Sequence, residues 1–152
     1  MLLRVAQVVY TATQFEGIER VAFKLDGDEV EAIGGEGVIV DPPVTRADFE
    51  DQAPPILIES PVPGALSERP VTISGTANVF EAQFNAKVVD EDEDTLADVA
   101  VRATSGTGTR GTFETEIDYS RPSGGTGAVI VYDLSEKDGS VIDEVRIPVS
   151  FE

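Results

Sequence analysis

SPVPGALSERPVTISGTANVFEA, residues 60–82, joins a turn-rich opening to an alternating strand and closes on an aromatic–acid pair. Val71, Ile73, Gly75 and Ala77 alternate with Thr72, Ser74 and Thr76, the period-two pattern of a strand with one buried face. Pro61, Pro63 and Pro70 cannot donate ladder hydrogen bonds, so they belong at strand ends and turns. The segment therefore reads as loop, then strand. Phe80 is the largest apolar group nearby and is assigned to the core, where burying a Phe side chain contributes about 1.5–3 kcal/mol.

Downstream and upstream of this stretch, further strand-like runs recur. They cover residues 56–59, 71–77, 81–89, 96–104, 112–119, 128–133 and 141–151, and seven runs separated by turns suit a sandwich. Glycine-rich segments at 106–111, 123–127 and 138–139 fall between them, where positive φ is often required. No long helix is expected after residue 50, and the Cys pair and core Trp of antibody domains are absent, which leaves aliphatic packing to hold the sheets. Before residue 50 the pattern differs. Leu2, Leu3, Val5, Ala6, Val8, Val9, Ala12 and Phe15 recur at helical spacings, so residues 2–15 read as a helix stopped by Gly17. A strand over 18–25 would place Val21, Phe23 and Leu25 on one face, and Asp26-Gly27 signals a hairpin turn into 29–33. FEDQAPP, residues 49–55, interrupts the apolar pattern with acids and a Pro pair, as an exposed linker does. The fold class is mainly β: an antiparallel sandwich over 54–152, a linker at 50–53, and a small α/β segment at 1–49.

The order of Ser60, Pro61, Gly64, Pro70, Val71, Ile73, Gly75, Ala77, Phe80 and Glu81 resembles the immunoglobulin-like domain of bacterial spore germination, found at the C-terminus of envelope proteins. QVVYTATQFEGIERVAFKLDGDEV at 7–30, followed by PPVTRADF at 42–49, resembles the C-terminal half of the sporulation and spore germination (GerMN) domain. The two resemblances imply an extracytoplasmic or envelope lipoprotein setting, with the first half of the GerMN domain upstream. They also imply a non-enzymatic, spore-associated module that binds protein or spaces another domain from the membrane. The alternative is a carbohydrate- or peptidoglycan-binding domain that assists cell-wall turnover.

Composition bounds the chemistry. At 152 residues and 41% apolar content the chain can build a real core. Its 29 acids against 11 bases give a formal charge of −18, a field that repels phosphate backbones and anionic lipids, so nucleic acid is a poor partner. The same acidity keeps a surface solvated and self-repelling. There is no Cys and no His, which removes disulfides, zinc-thiolate sites, thiol catalysis, a lipid-modified Cys and Ser-His-Asp chemistry. Arg4, Gln7 and Thr11 interrupt the apolar N-terminus, so neither a signal peptide nor a membrane span is expected in this chain, and any signal or anchor of an exported protein would lie upstream.

Local motifs yield to plainer readings. Gly106, Gly108 and Gly111 match GxGxxG, but residues 112–119 alternate as a strand, whereas a phosphate-cradling loop must open a helix; the segment reads as a hairpin loop. Asp90, Asp92 and Asp94 copy the first acidic positions of a calcium loop, yet the sixth position is Thr95 and the twelfth is Val101, so a solvated acidic turn is expected and no metal is required. Tyr10, Tyr119 and Tyr132 read as half-buried sheet residues. Carboxylates are too abundant for any pair to mark glycoside hydrolysis, and no catalytic, cofactor-binding or metal-binding residue is assigned. Ligand-binding residues stay open. The expected partner is a protein at the envelope or a cell-wall glycan. The apolar surface of residues 1–49 needs a cover, for which the candidates are the sandwich domain and, favoured, a second copy of the chain. The second copy would form a homodimer through a helix face of Leu2, Val5, Val9 and Ala12 and a strand face of Val21, Phe23 and Leu25.

Overall fold

The computed structural model describes residues 1–120, 122 and 125–151. The chain divides into two compact units, Met1–Ala53 and Pro54–Glu152.

The larger unit is a β-sandwich. One sheet holds β5 (Ile56–Ser60), β7 (Val71–Ala77) and β10 (Gly111–Ile117) in the order β10-β7-β5. The other has the order β6-β12-β11-β8-β9, from β6 (Ala65–Ser67), β8 (Gln83–Asp90), β9 (Thr95–Arg102), β11 (Thr126–Leu134) and β12 (Val141–Phe151). All seven expected runs form strands. Pairing is antiparallel except where the short β6 joins β12 in parallel, an addition that three residues of sequence do not announce. Of the turn expected at 123–127, residues 123 and 124 lie outside the described residues.

Alternation places Val71, Ile73 and Ala77 of β7 in the core opposite Phe84, Val88, Val129, Val131 and Val149 of the larger sheet. Phe84 and Phe113 meet edge to face, with ring centroids 4.9 Å apart, a geometry that adds about 0.5–1.5 kcal/mol beyond area burial. Tyr119 is buried and packs on Phe151, its hydroxyl donating to the Glu68 carbonyl at 3.2 Å. Aliphatic and aromatic contact thus takes the place of a disulfide.

Two expectations within this unit are corrected. Phe80 is not in the core; half of its surface is exposed, and Phe84, four residues on, fills the interior. Segment 106–111 is not a hairpin loop, because β9 and β10 belong to different sheets and the loop carries the chain between them. The acidic segment 90–94 is a turn between β8 and β9, as its composition suggests.

The smaller unit begins with α1 (Leu2–Ala12), whose Val5, Ala6 and Val9 are buried with Val40, Val44 and Phe49. The helix stops short of the expected residue 15 where the ladder passes over Tyr10 O: Gln14 N–H donates to Thr11 O at 3.4 Å instead, and Arg46 Nη2 donates to Tyr10 O at 3.2 Å. Tyr10 therefore sits on a helix beneath the Arg46 guanidinium, 5.2 Å from its ring centre, rather than in a sheet. The strand expected over 18–25 reduces to β1 (Lys24–Leu25) and a single bridge between Val21 and Val44. β1 pairs with β2 (Asp28–Glu29) across Asp26 (φ 53°) and Gly27 (φ 96°), the two positive-φ residues of a tight hairpin turn. A second short pair joins β3 (Ala32–Ile33) to β4 (Val38–Ile39). Residues 50–52, expected as linker, belong to a 3-10 turn, Ala47–Gln52, that buries Phe49. Val5 and Val9 are thereby covered by the chain's own Val40, Val44 and Phe49, whereas Leu2 and Leu25 of the faces expected to pair with a second copy stay exposed.

Candidate functional site

The outward turn of Phe80 is built by its neighbours. Val79 is buried and anchors the end of β7, after which Glu81 (φ 52°) and Ala82 (φ 57°) adopt the left-handed conformation in succession. For residues with a Cβ this costs about 1–2 kcal/mol each, so other contacts must hold it. The loop between β9 and β10 supplies them. Thr107 N–H donates to Val79 O at 3.0 Å, Glu81 N–H donates to Thr107 Oγ1 at 3.0 Å, and Gly108 N–H donates to Asn78 Oδ1 at 2.9 Å. Ala103 N–H adds a bond to Ala82 O at 2.8 Å. Gly106 passes so near that a Cβ there would lie 2.4 Å from Val79 O and 2.7 Å from Ala82 N. The GxGxxG segment thus cradles a protein turn instead of a phosphate, and the turn pushes the Phe80 ring into solvent.

Opposite Phe80 stands the end of the β11–β12 hairpin. Pairing skips between Val131 and Asp133, leaving Asp143 and Glu144 of β12 across from Tyr132, and Asp143 takes φ 52° in this bulge. Bulges bend a strand and re-aim its side chains. Here the bend leaves Leu134 and Ile142 exposed and brings Asp133 and Asp143 to the same opening. The hairpin tip is tied down by Ser135 N–H to Ser140 O at 2.8 Å and Gly139 N–H to Ser135 O at 2.7 Å. Hydrogen bonds from the Ser140 hydroxyl and then its N–H hold the Asp138 carboxyl below the usual carboxylate range. Between the two walls lies a cleft of about 460 Å³, lined by Phe80, Leu134, Ile142, Asp133, Glu136 and Asp143 among others.

The remaining sequence candidates lie elsewhere. Asp90 is buried, and its Oδ1 accepts from Asp92 N–H at 3.2 Å and Asp94 N–H at 3.0 Å, so it closes its own turn. Among the described residues no group of three or more Asp, Glu, His or Cys is placed to hold a metal. Tyr132 lies under Lys87 and donates to Asp98 at 3.0 Å; burial first, and then Asp98, raise its ionisation above that of an ordinary tyrosine. A second cleft, of about 530 Å³, runs past Glu59, Arg102 and Glu114 and is polar, with no large exposed apolar side chain. Of the two, the Phe80 cleft joins an exposed ring, two exposed aliphatic groups and several carboxylates, which is equipment for contact. Sequence reasoning misplaced Phe80 because its exposure depends on the φ of the next two residues. The glycine-dense loop was one available signal.

Comparison with protein families gives two matches. A model described as an immunoglobulin-like domain of bacterial spore germination matches residues 55–140, and one described as sporulation and spore germination matches residues 1–31. No curated protein matches the chain.

Proposed function

From the chain's membership of the immunoglobulin-like domain family of bacterial spore germination, we propose that it is a non-enzymatic module of the spore or cell envelope that binds a protein partner through the Phe80 cleft. Membership supports a non-catalytic role in germination, and the segment similar to the sporulation and spore germination family points the same way. Among the described residues no helix is long and apolar enough to cross a membrane.

The observation that carries the reading is the position of Phe80. A half-exposed aromatic ring on two successive left-handed residues is a costly arrangement for a fold to maintain, and aromatic anchors of this kind dominate binding surfaces. Nothing in the sandwich core requires it, because Phe84 occupies the interior. The test is retention of the chain, as wild type and as Phe80→Ala, on separate supports bearing envelope protein and purified wall glycan. Retention on the protein support that the substitution abolishes is the expected result. Retention on glycan alone would move the function to carbohydrate binding, and turnover of a glycan or ester panel would remove the non-enzymatic reading.

A further inference from the structure

The charge around the Phe80 cleft selects among partners. Asp133, Glu136 and Asp143 line it, and Lys137 is the one base among the described residues that do. The wider chain carries a formal charge of −18, so the local field has the same sign as the long-range one. A second copy of the chain would bring the same excess of acid to the contact and be repelled. Wall fragments bearing stem-peptide carboxylates would meet the same opposition. A cationic segment would be steered in and would exchange its hydration for carboxylate contacts. The apolar part of the walls asks for something further. Phe80, Leu134 and Ile142 present apolar surface that ammonium groups alone do not cover, so the complementary ligand alternates charge with apolar side chains.

We propose that the Phe80 cleft receives an extended, Lys- or Arg-bearing segment of a partner protein, with an apolar side chain seated against Phe80 and flanking cations beside Asp133, Glu136 and Asp143. This rests on the reading of the cleft as the binding surface, and adds to it the chemical class of the occupant.

The experiment measures fluorescence anisotropy of labelled KLKLK, KSKSK and ELELE peptides, and of soluble peptidoglycan fragments, with the intact chain. KLKLK should bind about tenfold more tightly than the other two peptides and lose about tenfold with Phe80→Ala, the loss expected of an aromatic anchor. The double variant Asp133→Asn and Asp143→Asn keeps the side-chain shapes, and Asn tolerates the positive φ of residue 143. It should weaken KLKLK severalfold and flatten the dependence on salt. Each variant is used at a temperature where its melt shows it folded. Equal binding of KSKSK and KLKLK, or indifference to Phe80→Ala, would reduce the effect to diffuse charge attraction and overturn the inference. Binding of peptidoglycan fragments that depends on Phe80, with none of KLKLK, would overturn the cationic occupant while leaving the cleft as the binding surface. If no probe depends on Phe80, both readings fall.

Discussion

Phe80 and Phe84 lie four residues apart and invert the usual expectation for aromatic side chains. Phe84 is 1% exposed and meets Phe113 edge to face; Phe80 is 50% exposed. Phe84→Ala should therefore cost about 3–5 kcal/mol, the loss seen when an aromatic ring leaves a packed interior. Phe80→Ala should change stability by less than about 1 kcal/mol, in the range of surface substitutions. Denaturant midpoints of the two variants separate the alternatives, and a loss at Phe80 equal to that at Phe84 would return Phe80 to the core. The sequence does rank the rings, since Phe84 alternates with Ala86 and Val88 against Gln83, Asn85 and Lys87, whereas no period covers Phe80. What turns Phe80 outward is the conformation of Glu81 and Ala82, neither of which is a residue type that announces positive φ.

At the scale of the element, strands were legible and their connections were not. Period-two alternation is printed in the chain, so β7 and β12 fall on their expected residues, whereas β6 is too short to show a period. The tight turn at Asp26-Gly27 was legible for the same local reason, while Phe49 hid among acids that marked its 3-10 turn as linker. The loop between β9 and β10 acts as a brace for 78–82, and its function was invisible because it is made by contacts about 25 to 30 residues apart in sequence. Gly106→Ala would drive a methyl into the Val79 carbonyl and the Ala82 amide, both backbone atoms that cannot swing aside. It should destabilise the sandwich by about 1–3 kcal/mol, as other overpacked sites do, and should loosen the 78–82 turn. Amide exchange at residues 81 and 107 faster than in wild type is the expected signature; unchanged protection would show that the brace is dispensable. The β8–β9 turn yields a second prediction. Asp90→Ala removes the acceptor for two N–H groups and should cost about 1–3 kcal/mol, whereas Asp90→Asn keeps an oxygen and should recover most of it. Chelation should leave the wild-type melt unchanged, and a melting temperature that rises strongly with millimolar calcium, but not with matched ionic strength, would restore a metal role to this turn.

For the whole molecule, the two compact units imply that Pro54–Glu152 carries its own core and should fold as a fragment with a β-type circular dichroism spectrum and a cooperative melt; a non-cooperative melt would show that the sandwich depends on residues 1–53. The formal charge of −18 has an effect that spans both units. Ion pairs such as Arg146–Glu93, Arg69–Asp118 and Lys24–Glu29 stand at the surface, where screening leaves them little to contribute. With 29 acids to 11 bases, repulsions between acids outnumber the attractions. Self-repulsion of a compact chain opposes folding, because unfolding moves like charges apart. Added salt weakens both the few attractions and the many repulsions, and the excess of acids decides the sign. Between about 0.01 M and about 0.1 M monovalent salt the screening length falls from about 30 Å to about 10 Å, shorter than the span of a domain, so long-range repulsion is largely removed. The melting temperature at neutral pH should rise across this range, by about 2–4 °C for each kcal/mol of repulsion relieved. Sodium and potassium chloride should act alike, since screening does not distinguish them. A melting temperature that falls with salt would mean that the surface ion pairs outweigh the net charge, and a rise with one cation alone would point to a bound ion in place of screening.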